Sequence, residues 1–175
     1  MENQASSKSI ILNNGLYYGL VSVVASLAIY ALGMHLDPTG GYINFAVMAL
    51  VIIGFPIIGM SQFKKQNNNL MTWGQGVKIG VGIVAIGTVI GIIYQYVFTS
   101  FIEPEFFNQV EEVTRQALLD TGASEDQIEM QLEMQSKFQG TAVGYATGFV
   151  FMVFIGFVVS AIAAAVKKET NENEY

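Results

Sequence analysis

The chain of 175 residues contains no cysteine, one histidine, one tryptophan and three prolines. The absence of cysteine excludes disulfide bonds, thiolate metal sites and a cysteine nucleophile. A single histidine leaves too few ligands for a structural zinc site. The sequence also has no serine-hydrolase elbow, zinc-protease helix motif or phosphate-binding loop. We therefore expect that the protein is not an enzyme, has no catalytic residues and needs no cofactor.

Charged residues are scarce as well. Only 13% of the residues are charged, whereas about 25% is usual for a globular domain. Fourteen acids and eight bases give a net charge of −6, and the bases form no continuous stripe. A chain with this charge pattern is not expected to bind nucleic acid.

Long apolar runs dominate the sequence. Hydrophobic residues make up 52% of the chain, and the mean hydropathy is +0.45. From Ile79 to Ile102, 24 consecutive residues carry no charge. A helix needs about 20 apolar residues to cross a hydrocarbon core of roughly 30 Å. These runs predict an all-α integral membrane four-helix bundle, with the lipid bilayer as its main partner.

Helix breakers divide this single membrane domain, 1–175, into four spans. The turn from Asp37 to Gly41 contains proline and two glycines, which end the first span. Pro56 lies inside the second span and is expected to kink the helix or to loosen its last turn. The first apolar run exceeds the roughly 7–15 residues of a signal peptide, so we expect it to be retained. The predicted spans are 10–34, 42–60, 73–102 and 141–166, with an extramembrane segment at 103–139 and a tail at 167–175.

The segment 103–139 has a different composition. It holds nine acids against Arg115 and Lys137, a local charge of −7. Ser124 and Gln127 have the spacing of a capping box, which predicts that a second helix begins there and runs on into the fourth span. We interpret the segment as amphipathic helices that rest on the spans or bind a partner. A helical face is indicated by Phe106, Val110, Val113 and Ala117.

The lysines predict the orientation of the spans. Six of the eight bases fall at one face of the four-span arrangement and two at the other. The positive-inside rule places the six-base face, with both termini, in the cytoplasm and the acidic segment outside. The six are Lys8, Lys64, Lys65, Lys78, Lys167 and Lys168.

Small residues recur at four-residue spacing in three spans. In lipid, helices associate through close backbone contact over such residues. This pattern indicates either packing within one bundle or an interface for a homo-oligomer or another membrane protein. The helix-packing candidates are Gly15, Gly19, Gly76, Gly80, Gly87, Gly91, Gly140, Gly144, Gly148, Gly156 and Ser160.

Other polar residues lie near the span ends. Asn14 at one end, and Tyr94 and Gln95 at the other, can form hydrogen bonds between helices or line a polar path. The middles of the spans carry no charge, which argues against a proton-coupled transporter but leaves a passive route for a neutral solute open. Tyr18 is interpreted as an interfacial aromatic residue.

Four residues at the predicted outer rim could bind a cation through carboxylate oxygens and one imidazole. The alternative is a solvated rim, and we predict no metal site. The four rim residues are His35, Asp37, Glu103 and Glu105.

Three segments resemble a known family, domain of unknown function 4199, which comprises small membrane proteins found mainly in Bacteroidota. They are Asn14–Gly19 at the start of the first span, Thr72–Lys78 at the start of the third, and Ile93–Glu105 at its end. The resemblance covers nearly the whole chain and implies a four-span protein of a bacterial cytoplasmic (inner) membrane. It implies no activity and no functional residue.

Two functions remain from different classes. The first is a non-enzymatic structural or partner-binding role in the inner membrane, in which the external helices present apolar faces. The second is a small channel or facilitator for a neutral solute. Polar span residues that converge on one track would favour the second function, and small residues all used in helix contacts would favour the first.

Overall fold

The structure, a computed structural model, describes residues 7–170, so part of the predicted tail, 171–175, lies outside the described residues. Within that range the fold is all-α, apart from one antiparallel bridge between Met71 and Glu169. The helices are α1 (Ser7–Ala31), α2 (Pro38–Gln66), α3 (Trp73–Val97), α4 (Phe106–Asp120), α5 (Glu125–Ser136) and α6 (Ala142–Lys167). A π-helical turn, Phe98–Ile102, extends α3.

Four of these helices, α1, α2, α3 with its extension, and α6, are long and apolar enough to cross a membrane. We define the lysine end as the end where α1 and α3 begin and α2 and α6 finish. The opposite end, which carries the α1–α2 loop and residues 103–141, is the acidic end. α2 continues through Pro56 as one helix.

Hydrogen-bonding side chains start most of the helices. The Asp37 carboxylate accepts a hydrogen bond of 2.7 Å from the Thr39 amide at the start of α2. Thr72 and Ser124 form reciprocal capping boxes at α3 and α5, as predicted for Ser124. The expectation that α5 runs on into the fourth span is wrong. Gly140 has a φ of +67°, a left-handed conformation that interrupts a right-handed helix, and Thr141 caps α6.

α3 is the centre of the bundle and packs against α1, α2 and α6. The buried core occupies the lysine half, where Met60, Ile79, Ile83 and Val84 are completely inaccessible. α4 and α5 pack mainly on each other. Their contacts with the rest of the protein are concentrated at their ends, where the Phe106 ring lies 5.5 Å from that of Phe98.

Polar contacts join the helices at the lysine end. The Asn14 amide donates a hydrogen bond of 2.7 Å to Gln62 of α2, an interhelical bond of the kind expected from the sequence. The Lys64 ammonium lies 2.7 Å from the Glu169 carboxylate. The Trp73 indole donates to the Ala161 carbonyl at 3.0 Å. These contacts connect all four long helices at the lysine end.

Candidate functional site: an uncharged polar cavity in the acidic half

A cavity of about 300 Å³ lies between the acidic halves of the four long helices. Each of the four helices contributes to its wall, and among the described residues none that lines it is charged. Four glycines and several apolar residues complete the wall. The polar lining is Tyr18, Ser22 and Ser26 on α1, Asn44 on α2, Thr88, Tyr94 and Gln95 on α3, and Tyr145 on α6.

Tyr18 and Thr88 form the deepest polar part of the cavity. Ile102 ends the extension of α3 at the acidic end, and Thr88 lies fourteen residues before it. The depth of Thr88 along the helix is therefore roughly 20 Å at 1.5 Å per residue. The exposed fraction is 1% for Tyr18 and 9% for Thr88. Both hydroxyl oxygens are buried, and the two side chains lie close enough to interact with each other. Apart from that contact, neither hydroxyl has a hydrogen-bond partner among the described residues. Tyr18 is therefore a core residue, and its interpretation as interfacial is wrong.

Most of the small residues predicted to pack lie where two helices approach closely. A Cβ atom added to Gly15 would lie 2.7 Å from Cβ of Ile86, and one added to Gly156 would lie 2.7 Å from Cγ1 of Val84. These distances are too short for any added side chain. The residues in such contacts are Gly15, Gly19 and Gly87 between α1 and α3, and Gly76, Gly80, Gly156 and Ser160 between α3 and α6.

The remaining four glycines of that set lie elsewhere. Gly140 lies against the Phe107 ring and Gly144 against the Phe138 carbonyl, both at the α5–α6 connection. Gly91 and Gly148 have no atom within 4 Å of an added Cβ. Both of these glycines line the cavity, so their missing side chains leave space between the helices instead of allowing a contact.

A second cavity of about 120 Å³ lies next to the first, toward the acidic end. The two cavities share Ser26, Asn44, Tyr94 and Gln95 in their walls. The outer cavity is also lined by His35, whose ring centroid is 4.8 Å from that of Tyr30 and whose Nδ1 atom is buried without a partner among the described residues. The polar lining therefore extends from the acidic rim to Thr88.

Glu103 connects the rim of the outer cavity to two helices. Its carboxylate accepts hydrogen bonds from the Tyr30 hydroxyl at 2.7 Å and from the Gln109 amide at 2.8 Å. These two bonds, with a smaller contribution from His35, hold the pKa of Glu103 below its usual range. The carboxylate thus joins α1 to the beginning of α4 next to the cavity.

Because this pKa is lower in the folded than in the unfolded protein, ionised Glu103 stabilises the fold above the ordinary glutamate pKa. The contribution disappears as the pH falls through the folded-state value. We expect Glu103→Gln to lower the melting temperature by roughly 1–3 °C at pH 7, the size typical of an exposed charged contact. The difference from wild type should shrink as the pH falls below the ordinary glutamate pKa, as thermal scans in detergent can show. A difference that persists at acid pH would contradict this role.

The four rim residues do not gather around one point. Asp37 caps α2, and hydrogen bonds from Thr39 lower its pKa. Glu105 instead accepts a bond of 2.6 Å from Asn108, while His35 and Glu103 both lie beside Tyr30. In residues 7–170, no group of three histidine or acidic side chains could hold a metal ion.

Several lining residues were not identified from the sequence. Tyr94 and Gln95 were predicted to form hydrogen bonds between helices or to line a polar path, but Asn44, Thr88 and Tyr145 were not singled out. A signal was present on α1 and α3, because polar or small residues follow helical spacing there. Tyr18, Ser22 and Ser26 are four residues apart, and Thr88, Gly91 and Gln95 follow with spacings of three and four. Helices that pack closely and helices that line a cavity both carry a face of this kind. Spacing alone therefore does not distinguish the two kinds of helix.

Comparison with known proteins gives one match. No curated protein and no solved structure is similar enough to this chain to count as a match. The sequence model of one family, described as "Protein of unknown function (DUF4199)", matches residues 13–169. Since this match covers nearly the whole chain, including most of α1 and all of the other three long apolar helices, the protein is a transmembrane protein that belongs to the DUF4199 family.

Proposed function

We propose that this protein binds a small uncharged solute in the cavity of its acidic half. It is a non-enzymatic, multi-pass protein of a bacterial inner membrane. Its four long helices cross the bilayer, the lysine end and both termini are cytoplasmic, and the cavity faces the outside. The proposal keeps the neutral solute of the channel or facilitator considered from the sequence, but replaces a route across the membrane with a binding site.

The observation that carries the proposal is the buried pair of hydroxyl groups of Tyr18 and Thr88. Within a bilayer, a polar group whose hydrogen-bonding capacity is unused costs free energy. Beyond their contact with each other, these hydroxyls have no partner among the described residues, and a polar occupant of the cavity, water or solute, would supply one. The cavity volume of about 300 Å³ is at the lower end of the range for small-molecule sites.

The uncharged lining indicates the class of solute. A charged ligand in a low-dielectric site needs a partner of opposite charge, and no such side chain lines the main cavity. Hydroxyl and amide groups can donate and accept hydrogen bonds. They therefore suit a neutral molecule that carries several hydrogen-bonding groups, such as a polyol or an amide.

The packing of the lysine half favours a binding site over an open channel. Tyr18, Met60, Ile79, Ile83 and Val84 are buried on the cytoplasmic side of the cavity. Passage of a solute would require this core to separate. The cavity lies on the acidic side of this core, so it faces the outside under the proposed orientation.

The absence of cysteine allows a direct test of access to the cavity. We expect Thr88→Cys in intact cells to react with a small hydroxyl-bearing methanethiosulfonate added outside. An anionic methanethiosulfonate of similar size should react several-fold more slowly, since the lining offers no cation. The measurement is the fraction of thiol left for a later fluorescent label.

The matched control is Ile93→Cys on the same helix, because Ile93 is 58% exposed on the outer surface of the bundle and does not line the cavity. Its thiol should lie in lipid and react slowly with both reagents. Equal reaction at positions 88 and 93, or no reaction at position 88, would reject a water-accessible cavity.

Partner binding is a second candidate function, favoured by the hairpin of α4 and α5. The segment 103–139 has a charge of −7 and packs mainly on itself. Its acidic residues could attract a basic protein surface outside the membrane. Crosslinking in native membranes followed by purification should then recover a defined partner, and a Glu111→Lys, Glu112→Lys variant should recover less of it.

The orientation has its own test. A reporter enzyme that is active only outside the cytoplasm should be active when fused after Ala123 and silent when fused after Asn68. Both fusion points lie in connections between described helices. The reverse pattern would place the cavity mouth in the cytoplasm and overturn this part of the proposal.

A further inference from the structure

α5 separates three kinds of side chain around its circumference. Ile128 and Leu132 are buried, with exposed fractions of 0% and 6%, on the helix that packs against α4. At about 100° per residue, the four acids of α5 fall within an arc of roughly 100°. These acids are Glu125, Asp126, Glu129 and Glu133.

A third arc of α5, continued by the turn after it, is apolar and uncovered. Met130 and Met134 on α5, and Phe138 two residues beyond its end, follow one another at four-residue spacing and have exposed fractions of 62%, 52% and 47%. Met130 and Met134 fall within about 40° of each other at 100° per residue, and on a different side from the acids. We name these three residues the methionine stripe. Lys137 lies beside the stripe and forms an ion pair of 2.8 Å with Glu133.

The methionine stripe is close to the part of the protein that enters the bilayer. Phe138 lies four residues before α6 begins at Ala142. The Thr141 hydroxyl contacts the Phe138 carbonyl at 3.1 Å and accepts a bond from the Gly144 amide. Phe138 is thus held on the first turn of a membrane-spanning helix, whose outer face begins with Val143, 63% exposed.

We propose that the methionine stripe lies in the interfacial region of the bilayer that α6 crosses, so that the α4–α5 hairpin leans on the membrane surface. The occupant follows from two observations. Phe138 lies next to the first turn of a helix that crosses the bilayer, and the acids of α5 lie on a different arc from the stripe. An interfacial helix has this division between an apolar face and a charged face.

Single cysteines in the cysteine-free chain can test this placement. The full chain is placed in phosphatidylcholine nanodiscs with one copy per disc, and a nitroxide is attached at Met130→Cys or Met134→Cys. Molecular oxygen, which is apolar, should increase the spin relaxation rate of these nitroxides several-fold more than a water-soluble nickel chelate does. Matched labels at Asp126→Cys and Glu129→Cys, on the acidic arc of the same helix, should show the reverse preference.

Two results would overturn the proposal. Labels at 130 and 134 that prefer the nickel chelate as strongly as those at 126 and 129 would show that the hairpin stands in water. Labels shielded from both reagents would show that protein covers the stripe. As a second measurement, Met134→Glu should raise nickel access at position 130 several-fold by releasing the stripe from lipid, whereas Met134→Leu should not.

Discussion

Gly80→Leu is expected to cause the largest loss of stability of any substitution considered. Gly80 lies where α3 and α6 are closest, and an added Cβ would lie 2.7 Å from Cβ of Ser160. Neither backbone can retreat without losing the contacts of the buried core around it. Overpacking of this kind costs about 3 kcal/mol, which corresponds to a fall of roughly 10 °C in melting temperature for a chain of this size.

The control for this prediction is Gly91→Leu, three turns further along the same helix. An added Cβ at Gly91 meets no atom within 4 Å, so leucine should change the melting temperature by less than about 2 °C. Scanning fluorimetry in one detergent, with wild type alongside, measures both variants. Equal melting of the Gly80→Leu variant and wild type would contradict the close α3–α6 contact.

Gly91→Phe is expected to have the largest effect on access to the cavity. A benzyl group at this position would enter the space between the four helices and block the route to Thr88. The reaction of the Thr88→Cys thiol with the hydroxyl-bearing methanethiosulfonate should slow by at least an order of magnitude. The fold should persist, because the new ring fills existing space and displaces no packed neighbour.

Ile93→Phe is the matched control for the blocking variant. Ile93 lies on the same helix but outside the cavity wall, so a benzyl group there should leave the reaction rate at position 88 unchanged. Slowing by both variants to the same extent would mean that bulk on α3, and not closure of the cavity, controls the reaction. That result would contradict the proposed path.

The number of long helices and several of their ends followed from the sequence. Length and hydropathy decide whether a helix can cross a bilayer, and the Ser124 capping box is a local property of four residues. The break between α5 and α6 was not foreseen, because the pattern of α5 gives no stop before Gly140. That glycine adopts a positive φ, which its identity permits but does not require.

Gly80 and Gly91 show why the cavity could not be read from the sequence. Both are glycines on α3 with small residues at helical spacing, yet Gly80 contacts Ser160 of α6 and Gly91 faces open space. The difference depends on which side chains of the neighbouring helices face each glycine, and spacing along α3 does not reveal that. Glu103 gives a similar example, since its partner Tyr30 is 73 residues away in the chain and no local pattern connects them.

The most direct test of the uncharged polar cavity is an experimental structure of the full chain in lipid nanodiscs, at a resolution that shows ordered water. We expect non-protein density within hydrogen-bonding distance of the Tyr18 and Thr88 hydroxyls, continuous with the space beside Gly91 and Gly148. A bundle whose acidic half is closed by direct packing of α2 and α6 onto α1 and α3, with no such density, would contradict this expectation.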